Sequence, residues 1–294
     1  MQLIHFDKNS NLLKGAALLL GDFDGVHLGH QELVKAALSY KDIPHAALLF
    51  DQDPSFFLDN GKSKRILTTL EDKIALFESL GLDTAYIIHV DSSFFSLTPE
   101  EFIDAYLRPI EPYVLISGSD YRFGKKAAGD VTLLAKSFRL KTVDLLYREE
   151  KKIASRDIKK MISDGLVEVA QEELGRPYCL KGVVHEGFHN GRTIGFPTLN
   201  LHLEEPYILP KGGVYLTETE INGKRYKSIT NIGTNPTVGL LHHERVESYL
   251  KGFEGNAYEE RISVYFLKRI RDEKKFSSLD ELRAQLEKDK ALLD

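Results

Sequence analysis

The chain has 294 residues, more than a single hydrophobic core accommodates efficiently, so two domains are expected. Its 42% hydrophobic and 28% charged residues are those of a folded globular protein and exclude a disordered or collagen-like chain. A formal net charge of −5 gives no broad cationic surface for nucleic acid, and Cys179, the single cysteine, allows no internal disulfide, as suits a reducing cytoplasm.

Met1–Leu13 carries His, Asp and Asn among its apolar residues and lacks the continuous apolar stretch of a signal peptide. No apolar run is long enough to span a bilayer, so the expectation is a cytoplasmic protein without a membrane partner. Ala16–Leu20, Ala46–Phe50, Ala85–Val90, Tyr113–Ser117 and Thr142–Tyr147 are short apolar runs that predict buried parallel strands. Between them Ile74, Phe77 and Leu80 recur at helical spacing, with Thr68 or Thr69 as cap and Gly81 as stop. Thr98-Pro99-Glu100-Glu101 is a capping box, and Pro109 is expected to close the helix it opens. Strand–helix alternation predicts a doubly wound α/β domain with its ligands at the carboxyl ends of the strands.

Gly21-Asp22-Phe23-Asp24-Gly25-Val26-His27-Leu28-Gly29-His30 follows the first of these strands and opens a helix. Its glycines allow tight turns and close approach of a ligand, and the helix N-terminus favours an anion. His27 and His30 can both donate to phosphate oxygens as charge builds in a transition state. A metal pair would need a third ligand and usually a spacing of four, so phosphate is favoured. Neither Gly61-Lys62-Ser63 nor the glycines at 21, 25 and 29 meet the Walker A or dinucleotide spacing.

From about Lys151 two short helices are predicted, Ser155 to Asp164 and Val167 to Leu174, each followed by glycine. Beyond Pro177 the strands Tyr178–His185, Gly213–Ile221, Lys224–Asn231, Arg245–Leu250 and Arg261–Ile270 predict a small β-barrel, and Ser278 caps a last helix running to about Leu293. Cys179 reads as a half-buried strand residue, since no base neighbours it. The loop from Gly182 to Gly195, with Lys181 before it and glycines at 187 and 191 within it, could fold over phosphates. Thr198 and Asn200 in Phe196-Pro197-Thr198-Leu199-Asn200 offer neutral oxygens suited to Mg²⁺ when phosphates supply the charge. Glu247, on a strand beside apolar neighbours, reads on its own as a surface residue.

The decapeptide Gly21–His30 resembles the G-x-F-D-G-V-H-x-G-H form of bacterial bifunctional riboflavin kinase/FAD synthetases. The resemblance continues through Arg65–Lys73, Phe94–Phe102, Gly118–Asp130, Gly191–Asn200, Gly212–Tyr215, Asn231–Thr237, Val246–Leu250 and Ile270–Phe276. It implies an adenylyltransferase-like domain over 1–175, with linker helices from about 151, and a riboflavin kinase barrel of six-stranded type over 176–294. It implies catalytic roles for Glu247, His27 and His30, and ATP contacts at Gly21, Asp24, Gly25, Ser155, Arg156, Lys159, Lys181, Gly182, Gly187 and Gly191. Flavin contacts are implied at Asp120, Phe123, Asn231 and Arg271, and metal contacts at Thr198 and Asn200.

The implied substrates are riboflavin, FMN and ATP with Mg²⁺. Asp53 stands where the family usually has histidine, Ala127 where arginine is expected, and Ala154-Ser155-Arg156-Asp157-Ile158-Lys159 replaces Ser-Ser-Thr-x-x-Arg. Arg156 reads equally as a phosphate ligand or a solvated helix charge. Tyr249 replaces a common histidine and Gly252 an aspartate. Three readings follow: kinase and adenylyltransferase together, kinase alone, or a non-catalytic flavin-binding protein.

Overall fold

The computed structural model describes residues 1–6, 12–52, 65–185, 195–235 and 243–293, with the side chains of 234, 235, 243 and 244 outside the description. Contacts divide the chain into two compact units, Met1–Ser155 and Arg156–Asp294. The division precedes the expected boundary at 175/176, because the two helices between these points pack by contact with the second unit.

In the first unit, strands β1 (Gln2–His5), β2 (Ala17–Leu20), β3 (His45–Phe50), β4 (Thr84–Ile88), β5 (Val114–Gly118) and β8 (Leu140–Val143) form one parallel sheet in the order β1-β4-β3-β2-β5-β8. Successive residues of a strand face opposite sides. Leu18 and Leu20 therefore join Leu115, Phe102, Ile103, Leu107 and Leu134 on one face, while Ala17 and Leu19 join Leu33, Val34 and Phe77 on the other. The second face is covered by helices α1 (Leu28–Leu38) and α2 (Leu70–Ser79), and the first by a helical run beginning with α3 (Pro99–Phe102) and by the short α4 (Val131–Leu134). The sheet is wound on both faces, as the strand–helix alternation predicts.

Helix α2 starts at a reciprocal capping box between Thr69 and Asp72, and α3 at one between Thr98 and Glu101. Pro109 does not close the α3 run, which passes through a π-helical turn, Ile103–Leu107, into Arg108–Ile110. The wider turn has Arg108 N–H donating to the Ile103 carbonyl, and the helix ends at Glu111, whose φ of 46° is left-handed. The expected strand Thr142–Tyr147 is displaced to Leu140–Val143, because pairing lasts only while β5 continues, to Gly118 opposite Val143. Strand β1 was not foreseen; it pairs with β4. Two short antiparallel pairs, β6 (Arg122–Phe123) with β7 (Gly129–Asp130) and β9 (Tyr147–Arg148) with β10 (Lys151–Lys152), stand apart from this sheet.

The second unit opens with α5 (Ser155–Ser163), whose first residue belongs to the preceding unit, and α6 (Val167–Leu174). Strands β11 (Tyr178–His185), β12 (Thr198–His202), β13 (Gly213–Ile221), β14 (Lys224–Asn235), β15 (His243–Leu250) and β16 (Arg261–Arg271) close a six-stranded barrel in the order β11-β12-β15-β14-β13-β16. Its interior holds hydroxyls as well as hydrocarbon. Thr217 bonds Ser228 at 2.7 Å and Thr230 at 2.8 Å, while Thr219–Ser228 and Thr230–Ser248 each span 2.8 Å. Buried hydroxyls paired in this way satisfy one another, so Val214 and Leu216 can point outwards. These two, with Ile229, Tyr249 and Ile270, receive Leu293, which follows the terminal helix α7 (Leu279–Lys290).

Candidate active sites

In the first unit Leu20 at the end of β2 stands opposite Ser117 of β5, while β3 flanks β2 on its other side. This is a topological switch point, where a crevice opens at the carboxyl ends of the strands. The Gly21–His30 and Gly118–Gly124 segments leave the sheet side by side at this place. Phe23 and Val26 have φ of 59° and 40° and are fully buried, so core packing holds the loop in a strained backbone. Gly21 is required because a Cβ there would lie 2.9 Å from the Phe23 ring. Gly25, at φ 84°, makes the left-handed turn.

His27 is the N-cap of α1, and its ring stacks on His30 with centroids 3.7 Å apart. Phe23 meets His30 edge-on at 5.3 Å. Two parallel imidazoles at a helix N-terminus are an arrangement able to receive an anion. Among the described residues there is no group of three or more His, Cys, Asp or Glu that could hold a metal ion.

Asp24 braces the loop: its Oδ1 accepts from Leu67 N–H at 2.9 Å and Thr68 N–H at 3.1 Å, and Thr68 Oγ1 accepts from Gly25 N–H at 2.8 Å. Lys73 donates to the Asp22 carbonyl at 2.9 Å, and Ser155 Oγ to the Asp24 carbonyl at 2.7 Å. Thus Ser155, distant in sequence, is tied to the Gly21–His30 loop. Composition around Leu67, Thr68 and Lys73 gave no hint of this bracing.

Beyond Ser155 on the same helix, the Arg156 side chain is 93% exposed with Asp157 at 3.9 Å, and Lys159 is half-buried. Asp120 forms an ion pair with Lys152. Phe123 is buried and stacks on Tyr121 at 5.8 Å; Gly129 makes room for it, since a Cβ there would be 2.7 Å from the ring. Burial and the Asp22 charge push the Tyr121 phenol up, keeping it neutral. Ala127 has φ 55° in a turn that follows Lys125 and Lys126.

In the barrel Ser248 and Thr230 point inwards, so their neighbours Glu247 and Asn231 point outwards. Asn200 stands opposite Glu247, and Glu247 opposite Asn231. Asn231 lies opposite Val214, and Val214 opposite Arg271. One row, Asn200–Glu247–Asn231–Val214–Arg271, therefore crosses five strands on the outer face, spanning about 19 Å at the usual strand spacing. Thr198, two residues before Asn200, shares this face. Arg245 lies 3.9 Å from Glu247.

Strand β12 was not foreseen, yet it brings the threonine–asparagine pair to the carboxylate. Lys181 faces outwards on β11; the following Gly182 cannot carry a side chain, because a Cβ would lie 2.1 Å from the His202 carbonyl oxygen. Gly187, Gly191 and Asp53 lie outside the described residues.

Arg271 is held by α7. Its Nη2 donates to Asp289 Oδ2 at 2.6 Å and its Nε to the same carboxylate at 3.2 and 3.3 Å. Buried Phe196 packs on Tyr249 at 5.4 Å, with Lys290 of the helix over its ring at 5.6 Å. Asp289 and Lys290 are site neighbours that periodicity alone does not single out.

Residues 174–293 match the family model described as riboflavin kinase, and residues 9–157 the one described as FAD synthetase. A bifunctional riboflavin kinase/FMN adenylyltransferase from Listeria monocytogenes is 39% identical over 280 residues, covering 92% of this chain and 89% of its own. That of Bacillus subtilis is 37% identical over 304 residues, covering 99% and 96%. That of Escherichia coli K12 is 32% identical, covering 94% and 91%. A solved structure described as a macrolide-efflux protein from Streptococcus pneumoniae superposes with a TM-score of 0.91 at 31% identity, covering 100% of this chain and 99% of that one. Among the described residues no helix is long and apolar enough to cross a membrane.

Proposed function

The chain belongs to the bifunctional riboflavin kinase/FMN adenylyltransferase family, and we propose that its barrel phosphorylates riboflavin and its α/β unit adenylylates the FMN so formed. Matches over both halves favour this reading over a kinase alone or a non-catalytic flavin binder. The observation that carries the kinase assignment is the outer-face row from Asn200 through Glu247 to Arg271. It is long enough to take triphosphate at one end and a flavin ring at the other, with the carboxylate between them. We place the reactions in the cytoplasm, with riboflavin, FMN and ATP as the partners.

In the kinase step Glu247 accepts the proton of riboflavin's terminal hydroxyl as that oxygen attacks the γ-phosphorus of ATP; the bond to ADP breaks, and FMN and ADP leave. Neighbouring residues on facing strands have Cβ atoms about 5 Å apart, so Asn200 and Asn231 both lie within reach of what Glu247 holds. Thr198 and Asn200 are neutral donors, a set that fits Mg²⁺ arriving with phosphate oxygens rather than a resident all-protein site. When bound, that ion would neutralise charge on the phosphates. Lys181, Gly182 and the glycines at 187 and 191 complete the ATP side of this reading.

In the second step a phosphate oxygen of FMN attacks the α-phosphorus of ATP, and pyrophosphate leaves as FAD forms. His27 and His30, at the positive end of α1, donate to the triphosphate as charge shifts to the leaving group. Gly21 and Gly25 let the backbone approach it, with Asp24 and Ser155 fixing the loop and Arg156 and Lys159 adding positive charge. Asp120 and Phe123 belong to the flavin side.

Two substitutions test the division of labour. Glu247→Gln lowers FMN formation about 10²–10⁴-fold while added FMN is still converted to FAD. His30→Ala leaves FMN formation intact and stops FAD formation. Normal FMN production by Glu247→Gln would remove the base assignment.

A further inference from the structure

We propose that Asp289 on the terminal helix is a positioning residue for riboflavin: it fixes the plane of the Arg271 guanidinium at the flavin end of the barrel face. The inference rests on the kinase reading above.

Arg271 ends β16 opposite Val214, in line with Asn231 and Glu247. Its Nε and Nη2 both donate to Asp289, and its Nη1 donates to the Asp272 carbonyl at 3.1 Å. Among the described residues these contacts engage three of the five guanidinium N–H bonds. Because the group is planar, they also fix the directions of the other two. Asp289 is itself only 3% exposed, and its Oδ1 accepts a further bond from Gln285 at 2.9 Å. A carboxylate locked in this way has one orientation to offer. On β14, a Cβ on Gly233 would lie 2.8 Å from Glu273 Oε1 and 3.2 Å from Asn231 Nδ2, so a carboxylate and the amide of the same row converge over a bare glycine. A flat ring with carbonyl oxygens on its edge suits an oriented guanidinium and a side-chain amide that share one row of the barrel face.

Docking of the helix does not depend on this ion pair alone. Leu293 is buried with Val214 and Ile229, and its carbonyl accepts from Lys227 at 3.1 Å and Lys251 at 3.4 Å. Orientation of Arg271 and attachment of the helix can therefore be separated by substitution.

The test measures KM for riboflavin and for ATP, kcat for FMN formation, conversion of added FMN to FAD, and Tm, all in the full chain. Asp289→Asn is expected to raise the riboflavin KM on the order of tenfold, as supporting residues of a binding group typically do. ATP KM and FAD formation from FMN stay unchanged. Gln285→Ala, which keeps both charges, moves the riboflavin KM in the same direction by a smaller factor, and it carries the test if Asp289→Asn fails to fold. Leu293→Ala lowers Tm but leaves the riboflavin KM at the wild-type value, because it disturbs helix docking and not the guanidinium. An unchanged riboflavin KM in both Asp289→Asn and Gln285→Ala overturns the proposal. So does a rise in Leu293→Ala equal to that in Asp289→Asn, since helix docking alone would then account for it. Loss of FMN formation in Glu247→Gln alongside an unaffected Asp289→Asn removes this inference and leaves the kinase reading standing; persistence of FMN formation in Glu247→Gln removes the kinase reading itself.

Discussion

Asp24 is 1% exposed, and its carboxylate accepts hydrogen bonds from Leu67 and Thr68 rather than standing open to solvent. Hydrogen bonds to a buried charged group are worth about 1.5–3 kcal/mol each, more than those between neutral groups. Asp24→Ala should therefore release the Gly21–His30 loop, abolishing FAD formation and lowering stability by about 3–6 kcal/mol for the two bonds, as denaturant unfolding would measure. The sequence singled out Asp24, Asp120 and Arg271 as ligand contacts. It could not tell that Leu67–Thr68, Lys152 and Asp289 engage them, because these partners lie far away in the chain. Glu247 was legible only through its motif; its meaning comes from standing opposite Asn200 and Asn231, which depends on strand register.

Helix starts were legible because caps are local: Thr98 and Glu101 form a reciprocal box, and Ser278 accepts from the Glu281 N–H, each pair three residues apart. Strand β12 was not, since Thr198–His202 is only five residues long and its alternation lies within a motif that reads as a loop. The barrel's inward hydroxyls were equally hidden, because Thr217 and Ser228 meet only across β13 and β14. Two predictions belong at this scale. Gly182→Ala places a methyl against the His202 carbonyl and should destabilise the barrel by about 1–3 kcal/mol, as for overpacked cores, with loss of FMN formation.

At the N-terminus of α7, Lys274, followed by the Ser277 bonds, holds the Glu281 carboxyl down at about 2 from its usual 4.5. Being lower in the folded state, this group contributes stability that is complete above pH 4.5 and lost as pH falls towards 2. The Tm gap between wild type and Glu281→Gln should thus be constant above pH 4.5 and close below it. A gap unchanged at pH 2.5 would contradict the assignment.

Over the whole molecule, a switch-point crevice in a parallel sheet and a polar row on a barrel place two ATP-dependent chemistries in one chain. The fold class and the kinase motif were legible because glycine spacing and alternation survive in one dimension, whereas the Arg271–Asp289 clamp joins a strand end to a helix end. The central claim is that riboflavin is consumed in two successive transfers from ATP. A time course with riboflavin, Mg²⁺ and ATP labelled separately at the γ- and α-phosphorus, resolved by flavin chromatography, tests it most directly. Label from the γ-position should appear first in FMN, and α-label should enter the flavin pool only as FMN becomes FAD. Unchanged riboflavin, or FMN that accumulates without ever acquiring α-label, would contradict it.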